Sequence, residues 1–255
     1  MALIKSEKEI EALAEGGKRL AEILRKVAEA VRPGVTTKEL DTIAEQSIVS
    51  CGGIPSFKGY NAFGARTAYP ASLCTSINDE VVHGIPSKKR ILKEGDIIGL
   101  DIGMKWQGLY TDMAVTVGVG QIDAALEKLI EVTQKALDVG IAVVRPNASI
   151  GDIGEAVQKY VEQSGFGVVR QLVGHGVGHK VHEQPEVPNF GRKGSGLKLA
   201  EGMVLALEPM VTAGKHGVFL AKDDWTWKTK DHSRAAHFEH TVAITEDGVQ
   251  VLTQI

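Results

Sequence analysis

The sequence predicts an α+β protein built from two related halves, and three observations lead to this fold class. Helix patterns that open with capping boxes precede apolar, β-branched segments in both halves of the 255 residues. The segment VRPGVTTKEL at Val31 recurs as VRPNASIGDI at Val144. The same order of helix, helix and strand surrounds both copies. Together these features predict an internal duplication, with halves of roughly 110–120 residues that share one sheet.

Two helices open the N-terminal half. The capping box Ser6–Glu9 begins the first helix, whose apolar residues recur along one face. The pair Gly16-Gly17 weakens the middle of this helix, and Pro33-Gly34 ends it. A second capping box, Thr36–Glu39, begins a helix that we expect to run to Cys51.

The C-terminal half opens in the same way. The segment Gln121–Val144 has the pattern of a long helix, and Arg145–Asn147 ends it. The box Ser149–Asp152 then begins a shorter helix that ends near Gly165.

A predicted hairpin in the first half carries one aspartate on each strand. Its strands are Ile97–Gly103 and Leu109–Val117. If Trp106-Gln107 forms the centre of a two-residue turn, Asp101 and Asp112 oppose each other directly, with Cβ atoms about 5 Å apart. Like charges placed so closely in a buried hairpin repel, which predicts either a shared proton or a cation between them. The alternative is a wider turn that separates two solvated aspartates.

The second half supplies three further candidate ligands. His175 lies between two glycines, Glu208 ends an apolar strand and Glu239 begins another. A single carboxylate at a strand end usually marks where the strand meets water. Two Asp, one His and two Glu beside apolar strands nevertheless form an oxygen-rich donor set. Such a set suits Mn²⁺, Fe²⁺, Co²⁺ or Zn²⁺, and several carboxylates suit two ions rather than one.

The other histidines carry weaker signals. His83 and His182 lie at strand-to-loop junctions, where each could donate a hydrogen bond to a substrate carbonyl or serve only the structure. His179 lies four residues after His175, but the surrounding glycines disfavour the helix that a zinc pair at this spacing needs. The remaining four are predicted to be surface or packing residues: His216, His232, His237 and His240.

Composition excludes several classes of protein. A net charge of −3 and 5% aromatic residues give no footprint for nucleic acid. Two cysteines cannot build a disulfide framework. No apolar run approaches the roughly 20 residues of a membrane span, and the N-terminus lacks the apolar core of a signal peptide. We therefore expect a cytoplasmic protein without a nucleic-acid or membrane partner.

With these residues in place, the sequence resembles the type I methionine aminopeptidases, metallopeptidases of family M24 with the pita-bread fold. The resemblance covers nearly the whole chain. It implies a single catalytic domain over residues 1–255, whose N-terminal half (about 1–120) and C-terminal half (about 121–255) surround a curved antiparallel sheet with pseudo-symmetry. It rests on ordered motifs: PSFKGY (55–60), SINDEVVHGIP (76–86), the aspartate hairpin, GHGVGHKVHEQPEVPNFG (174–191), LEPM (207–210) and WTWKTKDHSRAAHFEHT (225–241).

The resemblance also implies roles for individual residues. His83 and His182 match substrate-contacting histidines, and Glu208 matches a ligand that also acts as general base and acid. Two divalent ions (Co, Mn, Fe or Zn, with the native ion left open) would activate a hydroxide and be held by Asp101, Asp112, His175, Glu208 and Glu239. The methionine pocket would be lined by Phe57, Tyr60, Tyr69, Cys74 and Trp225.

The implied function is removal of the N-terminal methionine from nascent proteins by a monomer that prefers a small second residue. Association with the ribosome is left open. The segment NAFGARTA (61–68) is longer than in other members, which leaves the placement of Tyr60 and Tyr69 open. Two main alternatives remain: a related Xaa-Pro aminopeptidase or prolidase, and a non-catalytic pita-bread binding protein. A dinuclear phosphatase or nuclease is a third.

Overall fold

Helices and strands follow the predicted order in both halves. The structure, a computed structural model, describes residues 3–61 and 66–254. Four helices lie in these ranges: α1 (Glu7–Glu29), α2 (Thr37–Ser50), α3 (Ala124–Ala142) and α4 (Ile150–Gln163). The strands of the same ranges are β1 (Ile54–Pro55), β2 (Leu73–Ile77), β3 (Glu80–Val82), β4 (Ile97–Trp106), β5 (Leu109–Gly118), β6 (Gly167–Val168), β7 (Gly174–Gly176), β8 (Glu183–Val187), β9 (Val204–Leu207), β10 (Met210–Thr212), β11 (Val218–Leu220), β12 (Trp227–Thr229), β13 (Ala235–His237), β14 (Glu239–Thr245) and β15 (Gly248–Val251).

The predicted helix starts are confirmed by their caps. Ser6, Thr36 and Ser149 each accept a backbone N–H from the third helical residue, whose carboxylate accepts the N–H of the cap in return. Helix α3 begins later than predicted, because Asp123 is its N-cap and accepts the N–H of Leu126 at 2.9 Å. None of the helices in the described ranges combines the length and apolar character needed to cross a membrane.

Helix α1 runs without interruption through the glycine pair that was expected to weaken it. A Cβ at Gly17 would collide with the carbonyl of Leu252, and a Cβ at Gly16 would press on Trp106. These glycines therefore allow α1 to approach the hairpin and the C-terminal segment closely, and this packing offsets their low helix propensity.

The second helix of each pair, α2 and α4, begins with the same local geometry. Gly34 and Asn147 occupy corresponding positions before the caps, and both have positive φ angles, of 90° and 67°. The caps Thr36 and Ser149 each also form an isolated antiparallel bridge to a later segment of their own half. This likeness is what the repeated sequence predicts.

One nine-stranded antiparallel sheet joins the two halves. Its main path runs β1-β4-β5-β14-β9-β7-β8, with β2 on β4 and β15 on β14. The halves meet where β5 pairs with β14. The sheet is curled, so the predicted α+β class with a curved antiparallel sheet is confirmed. Two smaller sheets have the orders β13-β10-β6 and β11-β12-β3.

The helices cover one face of the large sheet. Ile98, Leu100 and Ile102 of β4 are buried in one core cluster with α1 and α2. Leu207 and Val242 of β9 and β14 are buried in a second cluster with α3 and α4. Since side chains alternate along a strand, the residues between these apolar ones point to the opposite face, where the site lies.

The turn of the β4–β5 hairpin differs from the prediction. Trp106 pairs with Leu109, so the turn is centred on Gln107-Gly108. Both of these residues have positive φ angles, of 47° and 89°. Turns with two left-handed central residues match the twist of the flanking strands, and glycine adopts that conformation at little cost. The preference of Gly108 for a central position shifts the turn by one residue.

The two aspartates are consequently not direct partners. Asp101 pairs with Ala114 and Asp112 pairs with Gly103, so the predicted register is wrong. A shift of the turn centre by one residue changes the cross-strand partner of each residue by two positions. Because side chains alternate with a period of two, both carboxylates still project from the same face of the hairpin. They are diagonal neighbours on that face, a spacing that still allows their side chains to meet.

Candidate metal centre

The five predicted ligands come from five strands that are adjacent in the large sheet. In the order β4-β5-β14-β9-β7, each strand contributes one of them. Glu208 directly follows β9, and the other four lie within their strands. All five belong to the face opposite the helices. Along the sheet they are Asp101, Asp112, Glu239, Glu208 and His175.

Strand register brings these side chains together. Ala114 pairs with Asp101 on one side and with Glu239 on the other, so the two carboxylates flank a single small residue. The regular backbone pairing between β5 and β14 stops after His240, and the side chain of Thr241 then bonds the backbone of β5 instead. Its Oγ1 accepts the N–H of Asp112 at 3.0 Å and donates to the carbonyl of Asp112 at 2.8 Å.

In the part of the chain that the structure describes, side-chain ligand atoms cluster in three groups, and within each group they lie within 4.8 Å of one another. The groups are Asp101-Asp112-Glu239, His175-Glu208-Glu239 and Asp112-His175-His182. The first two groups share Glu239 and together contain all five predicted ligands. The third group brings His182 close to two of these ligands.

His175 presents one ring nitrogen to the cluster. Its Nδ1 lies 3.0 Å from the carbonyl of Gly176, which can only accept, so Nδ1 carries the proton. The unprotonated Nε2 then faces Glu208 Oε1 at 3.5 Å. Burial lowers the pKa of His175 to about 4, which keeps the ring neutral at neutral pH. A neutral imidazole oriented through its other nitrogen is the usual form of a histidine ligand.

The four carboxylates are buried, and this environment disfavours their ionised forms. Burial raises the pKa of Asp101 to about 7. Burial, together with the neighbouring carboxylates, raises the pKa of Asp112, Glu208 and Glu239 well above the ordinary range. Among the described residues that line the cavity there is no lysine or arginine to compensate them.

The donor set fits divalent cations. Asp101 Oδ1 and Glu239 Oε1 are buried without any hydrogen-bond partner in the described structure. Buried polar atoms are rarely left in this state, and buried carboxylates need a counter-charge. Four carboxylates and a neutral imidazole supply the oxygen-rich, partly nitrogen ligation that first-row divalent ions accept.

All twelve residues that the sequence singled out line one cavity of about 210 Å³. The ligand cluster forms one part of its wall and apolar side chains form another. The lining residues are Phe57, Tyr60, Tyr69, Cys74, His83, Asp101, Asp112, His175, His182, Glu208, Trp225 and Glu239.

His83 and His182 flank the cluster. The ring centroid of His182 lies 4.4 Å from that of His175, and its Nδ1 lies 2.8 Å from the hydroxyl of Tyr60. The ring of His83 faces Trp225 with centroids 6.4 Å apart. Burial lowers the pKa of His83 to about 4. Desolvation at the cavity wall, with a smaller effect of the neighbouring His175, also lowers the pKa of His182, although its side chain remains open to solvent on one side. Both rings are therefore neutral at neutral pH, and each has one N–H to donate.

The apolar part of the cavity is held by polar anchors at its edge. Tyr69 and Trp225 pack edge to face with centroids 5.1 Å apart. The Tyr69 hydroxyl donates to the carbonyl of Gly84 at 3.0 Å, and Trp225 Nε1 donates to the carbonyl of Thr67 at 3.1 Å. These bonds satisfy the polar ends of both rings and leave their apolar surfaces to the cavity.

Backbone hydrogen bonds link Tyr60 and Tyr69 at the two ends of the longer segment. The Tyr69 N–H donates to the Tyr60 carbonyl, and the Gly59 N–H donates to the Tyr69 carbonyl, both at 2.8 Å. These bonds close the base of NAFGARTA, of which residues 62–65 lie outside the described residues. Both tyrosines line the cavity.

His237 is a residue of the site that the sequence analysis missed. It is buried, and its Nε2 lies 3.5 Å from Glu208 Oε2 and has no hydrogen-bond partner within residues 3–61 and 66–254. Thr116 Oγ1 fixes its backbone by accepting its N–H at 2.9 Å and donating to its carbonyl at 2.8 Å. The signal was the spacing His237-x-Glu239, which places two side chains on one side of an extended chain.

His179, which the sequence disfavoured as a ligand, bonds another residue: its Nε2 lies 2.6 Å from Oε1 of Glu9 on α1.

Known proteins share this fold and sequence. A methionine aminopeptidase of Clostridium acetobutylicum is 49% identical over 253 residues, which cover 99% of each chain. The crystal structure of a methionine aminopeptidase from Thermotoga maritima matches with a TM-score of 0.95 at 43% identity and covers 99% of both chains. The predicted pita-bread fold is thereby confirmed.

The Xaa-Pro alternative receives support from the fold alone. The prolidase of Pyrococcus horikoshii matches with a TM-score of 0.76 at 22% identity, and the match covers 99% of this chain and 63% of the prolidase. The sequence comparisons thus favour the methionine aminopeptidases over this alternative. The model of the metallopeptidase family M24 matches residues 11–246. A family match over this span, full-length relatives and a buried cluster of candidate metal ligands lead to one conclusion: the chain belongs to metallopeptidase family M24.

Proposed function

We propose that this protein is a metal-dependent methionine aminopeptidase that removes the N-terminal methionine from nascent polypeptides. One observation carries the proposal: a single cavity combines an oxygen-rich ligand cluster with an apolar pocket, and both are formed by residues that the sequence singled out. A hydrolytic site needs the first part and a methionine side chain needs the second. The name of the full-length relatives adds independent support.

In this proposal the cluster holds two divalent ions. The two ligand groups that share Glu239 support a pair of adjacent ions rather than one. When bound, such ions act as Lewis acids, which polarise a peptide carbonyl and make water a nucleophile near neutral pH. Mn²⁺, Fe²⁺, Co²⁺ and Zn²⁺ all suit ligands of this type. The proposed ligands are Asp101, Asp112, His175, Glu208 and Glu239.

Glu208 is the proposed carrier of the proton. It takes a proton from the attacking water and delivers it to the amine of the departing peptide. Burial and the charge of Asp101 raise the pKa of Glu208 well above its ordinary value, the direction that favours uptake of a proton by this carboxylate. Its side chain lies between His175 and His237, each 3.5 Å from one of its oxygens.

His83 and His182 orient the scissile bond. Each neutral ring donates an N–H toward the carbonyl oxygen, on which negative charge develops during hydrolysis. A donor of this kind is typically worth about 3 kcal/mol of transition-state stabilisation. The contact between His182 Nδ1 and the Tyr60 hydroxyl supports a fixed orientation for that ring.

The apolar pocket receives the methionine side chain. Aromatic edges make favourable contacts with a thioether, and a flexible side chain fills an irregular wall well. The proposed pocket residues are Phe57, Tyr60, Tyr69, Cys74 and Trp225. We extend to this chain the preference for a small second residue that the resemblance implies.

We further propose that the chain works in the cytoplasm as a monomer, without nucleic acid or a membrane as partner. Its substrates are the N-terminal segments of new polypeptides. The free thiols of Cys51 and Cys74 suit a reducing compartment. Residues 1–255 act as one catalytic domain, because each half contributes ligands to the same cluster.

The test begins with the metal-free protein under anaerobic conditions. Mn²⁺, Fe²⁺, Co²⁺ or Zn²⁺ is added back, and release of methionine from Met-Ala-Ser is measured for the wild type and for Asp101→Asn. We expect metal-dependent release that the substitution abolishes. A wild type that binds metal and releases no methionine would refute the proposed function.

A second substrate separates the alternatives. An Xaa-Pro peptide is offered to the same metal-loaded protein, and we expect little cleavage beside that of Met-Ala-Ser. Preferred cleavage of the Xaa-Pro peptide would favour the prolidase alternative. Failure to bind any of the four ions would favour a non-catalytic binding protein.

A further inference from the structure

The loop that carries His182 is held by the N-terminal segment of the chain. Residues 177–182 connect β7 to β8 and belong to no strand. The segment before and at the start of α1, residues 4–9, contacts this loop with two side chains, Lys5 and Glu9. A histidine that must meet a substrate atom thus sits on irregular backbone, whose position needs another support.

The main tie is a buried ion pair. Lys5 Nζ lies 2.6 Å from Glu183 Oε2, with only 1% and 4% of the two side chains exposed. The second oxygen of Glu183 accepts the backbone N–H of Lys180 at 2.7 Å. Lys5 is itself anchored, because its N–H donates to the carbonyl of Gly202 at 2.7 Å. The carboxylate therefore joins the N-terminal segment to the loop on both sides of His182.

Two further contacts hold the start of the loop. The Lys5 stem packs against Gly178, where an added Cβ would lie 2.5 Å from Lys5 Cε. The carbonyl of Gly178 accepts the N–H of Tyr110 at 2.7 Å. His179 Nε2 lies 2.6 Å from Glu9 Oε1, in a contact that is partly exposed.

The burial of the pair indicates more than a contribution to stability. Taking a lysine and a glutamate out of water costs free energy that their attraction offsets only with good geometry. An apolar pair of similar volume would often stabilise as well or better. What an apolar pair would not supply is the second bond of the carboxylate, which fixes the backbone at Lys180, two residues before His182.

We propose that Lys5 is a positioning residue, which sets His182 for the reaction through its ion pair with Glu183. The inference rests on the proposed function, since that function assigns His182 to the substrate. Lys5 itself touches no substrate and acts only through the loop.

A double-mutant cycle tests the proposal. The variants are Lys5→Met, which keeps the unbranched stem and removes the charge, His182→Ala and the combination of both. In the wild-type background, Lys5→Met is expected to lower kcat on Met-Ala-Ser by about 10- to 100-fold, with KM changed less than about threefold. In the His182→Ala background the same substitution is expected to change kcat by less than about twofold. Lys26→Met is the matched control, because Lys26 bonds only Ser47 among the described residues and lies away from the loop.

Two results of the cycle would overturn the proposal. An equal loss of kcat in both backgrounds would assign Lys5 to overall stability alone. An unchanged kcat in Lys5→Met would show that the pair does not set His182.

Amide hydrogen exchange gives a second readout that does not depend on activity. The amides of residues 178–183 should exchange faster in Lys5→Met than in the wild type and in Lys26→Met. Unchanged exchange would refute the tie itself. Failure of the metal-loaded wild type to release methionine would instead count against the proposed function and leave this readout intact.

If Lys5→Met does not fold, His179→Ala enters the cycle in its place. This substitution removes the more exposed tie to Glu9 without disturbing the capping box of α1. We expect a loss of kcat of about two- to fivefold that again disappears in the His182→Ala background. A loss that persists there would overturn the proposal.

Discussion

The proposed ligand cluster and the proposed methionine pocket share one cavity but are built in opposite ways. Four of the five proposed ligands lie within strands, and Glu208 directly follows one. Of the five proposed pocket residues, only Cys74 lies in a strand, and the others lie in loops. Ligand atoms must be placed to a fraction of an ångström, which a paired sheet can ensure. An apolar pocket needs shape and chemistry more than an exact direction, so loops suffice.

The two regions also differ in what they contribute to stability. The cluster gathers buried carboxylates whose charged forms are disfavoured. The pocket buries apolar surface such as Phe57 and Trp225, 7% and 6% exposed, which favours the folded state. Substitutions in the cluster should therefore abolish activity and stabilise the metal-free protein, whereas substitutions in the pocket should weaken both.

The largest effect on catalysis is expected from Glu208→Gln. The amide keeps the shape of the side chain but cannot take up the proton, and it is a weaker ligand. We expect kcat on Met-Ala-Ser to fall by roughly a thousandfold or more. The measurement is steady-state kinetics at saturating metal, with metal content determined on the same samples.

Gln158→Glu on α4 serves as a control for a change between carboxylate and amide outside the cavity, and it should leave kcat unchanged. A Glu208→Gln variant with more than about a tenth of the wild-type kcat would remove Glu208 from the proton transfer.

The largest effect on stability is expected from Asp101→Asn in the metal-free protein. Burial raises the pKa of Asp101 from 3.8 to about 7. Well below pH 3.8 the carboxyl is protonated in both the folded and the unfolded state, so the stabilities of the wild type and the variant should be nearly equal. As the pH rises, the unfolded state ionises first and the folded state loses stability until its own pKa is passed. At pH 8 the variant should be more stable by roughly 4 kcal/mol.

Urea unfolding of both proteins in EDTA, at several pH values between 4 and 8, measures this difference. The buried histidines contribute equally to both proteins and cancel. Added Mn²⁺ should stabilise the wild type more than the variant, because the ion binds the folded cluster. A stability difference that does not grow with pH would show that the cluster does not disfavour its charges.

The contrast between residues on strands and residues in loops also explains which parts of the site could be predicted from the sequence. Alternation along strands placed Asp101 and Asp112 on one face, and this holds although the register was wrong. An error of one residue at the turn moves each partner by two positions and thus preserves the face. The register itself depended on the preference of Gly108 for a left-handed turn position, which the choice of Trp106-Gln107 overlooked.

Loops were predictable only through the family resemblance. Nothing in the spacing of Phe57, Tyr69 and Trp225 indicates that they meet, because loop geometry follows from tertiary contacts. The hydrogen bonds from Tyr69 to Gly84 and from Trp225 to Thr67 are contacts of this kind. His237 was missed for a related reason: its partner Glu208 follows a different strand, β9, and only the fold brings the two side chains to 3.5 Å.

A substitution in the proposed pocket should reduce both catalysis and stability and leave the metal affinity of the cluster unchanged. Phe57→Ala removes a buried ring without touching a proposed ligand. We expect kcat/KM on Met-Ala-Ser to fall by about 10- to 100-fold and the free energy of unfolding to fall by about 3 kcal/mol. Metal affinity should stay unchanged. Kinetics, urea unfolding and metal titration on one preparation give all three values.

Phe219→Ala is the matched control, since Phe219 lies on β11 outside the cavity and is 38% exposed. It should leave kcat/KM unchanged. If Phe57→Ala also weakened metal binding by tenfold or more, the pocket and the cluster would not be independent parts.

The smallest effect is expected where the two regions touch. Tyr60 is a proposed pocket residue, and its hydroxyl lies 2.8 Å from Nδ1 of His182, whose ring packs on the proposed ligand His175. Tyr60→Phe removes this one bond and keeps the aromatic wall. Because a neutral hydrogen bond contributes about 1 kcal/mol, kcat should fall by about fivefold, while KM for Met-Ala-Ser should change little.

Tyr160→Phe on α4 controls for the loss of a tyrosine hydroxyl far from the cavity. The cycle with His182→Ala gives the decisive comparison, because without the imidazole the hydroxyl of Tyr60 has no role in orienting it. A fivefold loss that disappears in that background would identify the Tyr60–His182 contact as the link between a cluster fixed by strands and a pocket shaped by loops. An equal loss in both backgrounds would show instead that the hydroxyl serves the pocket alone.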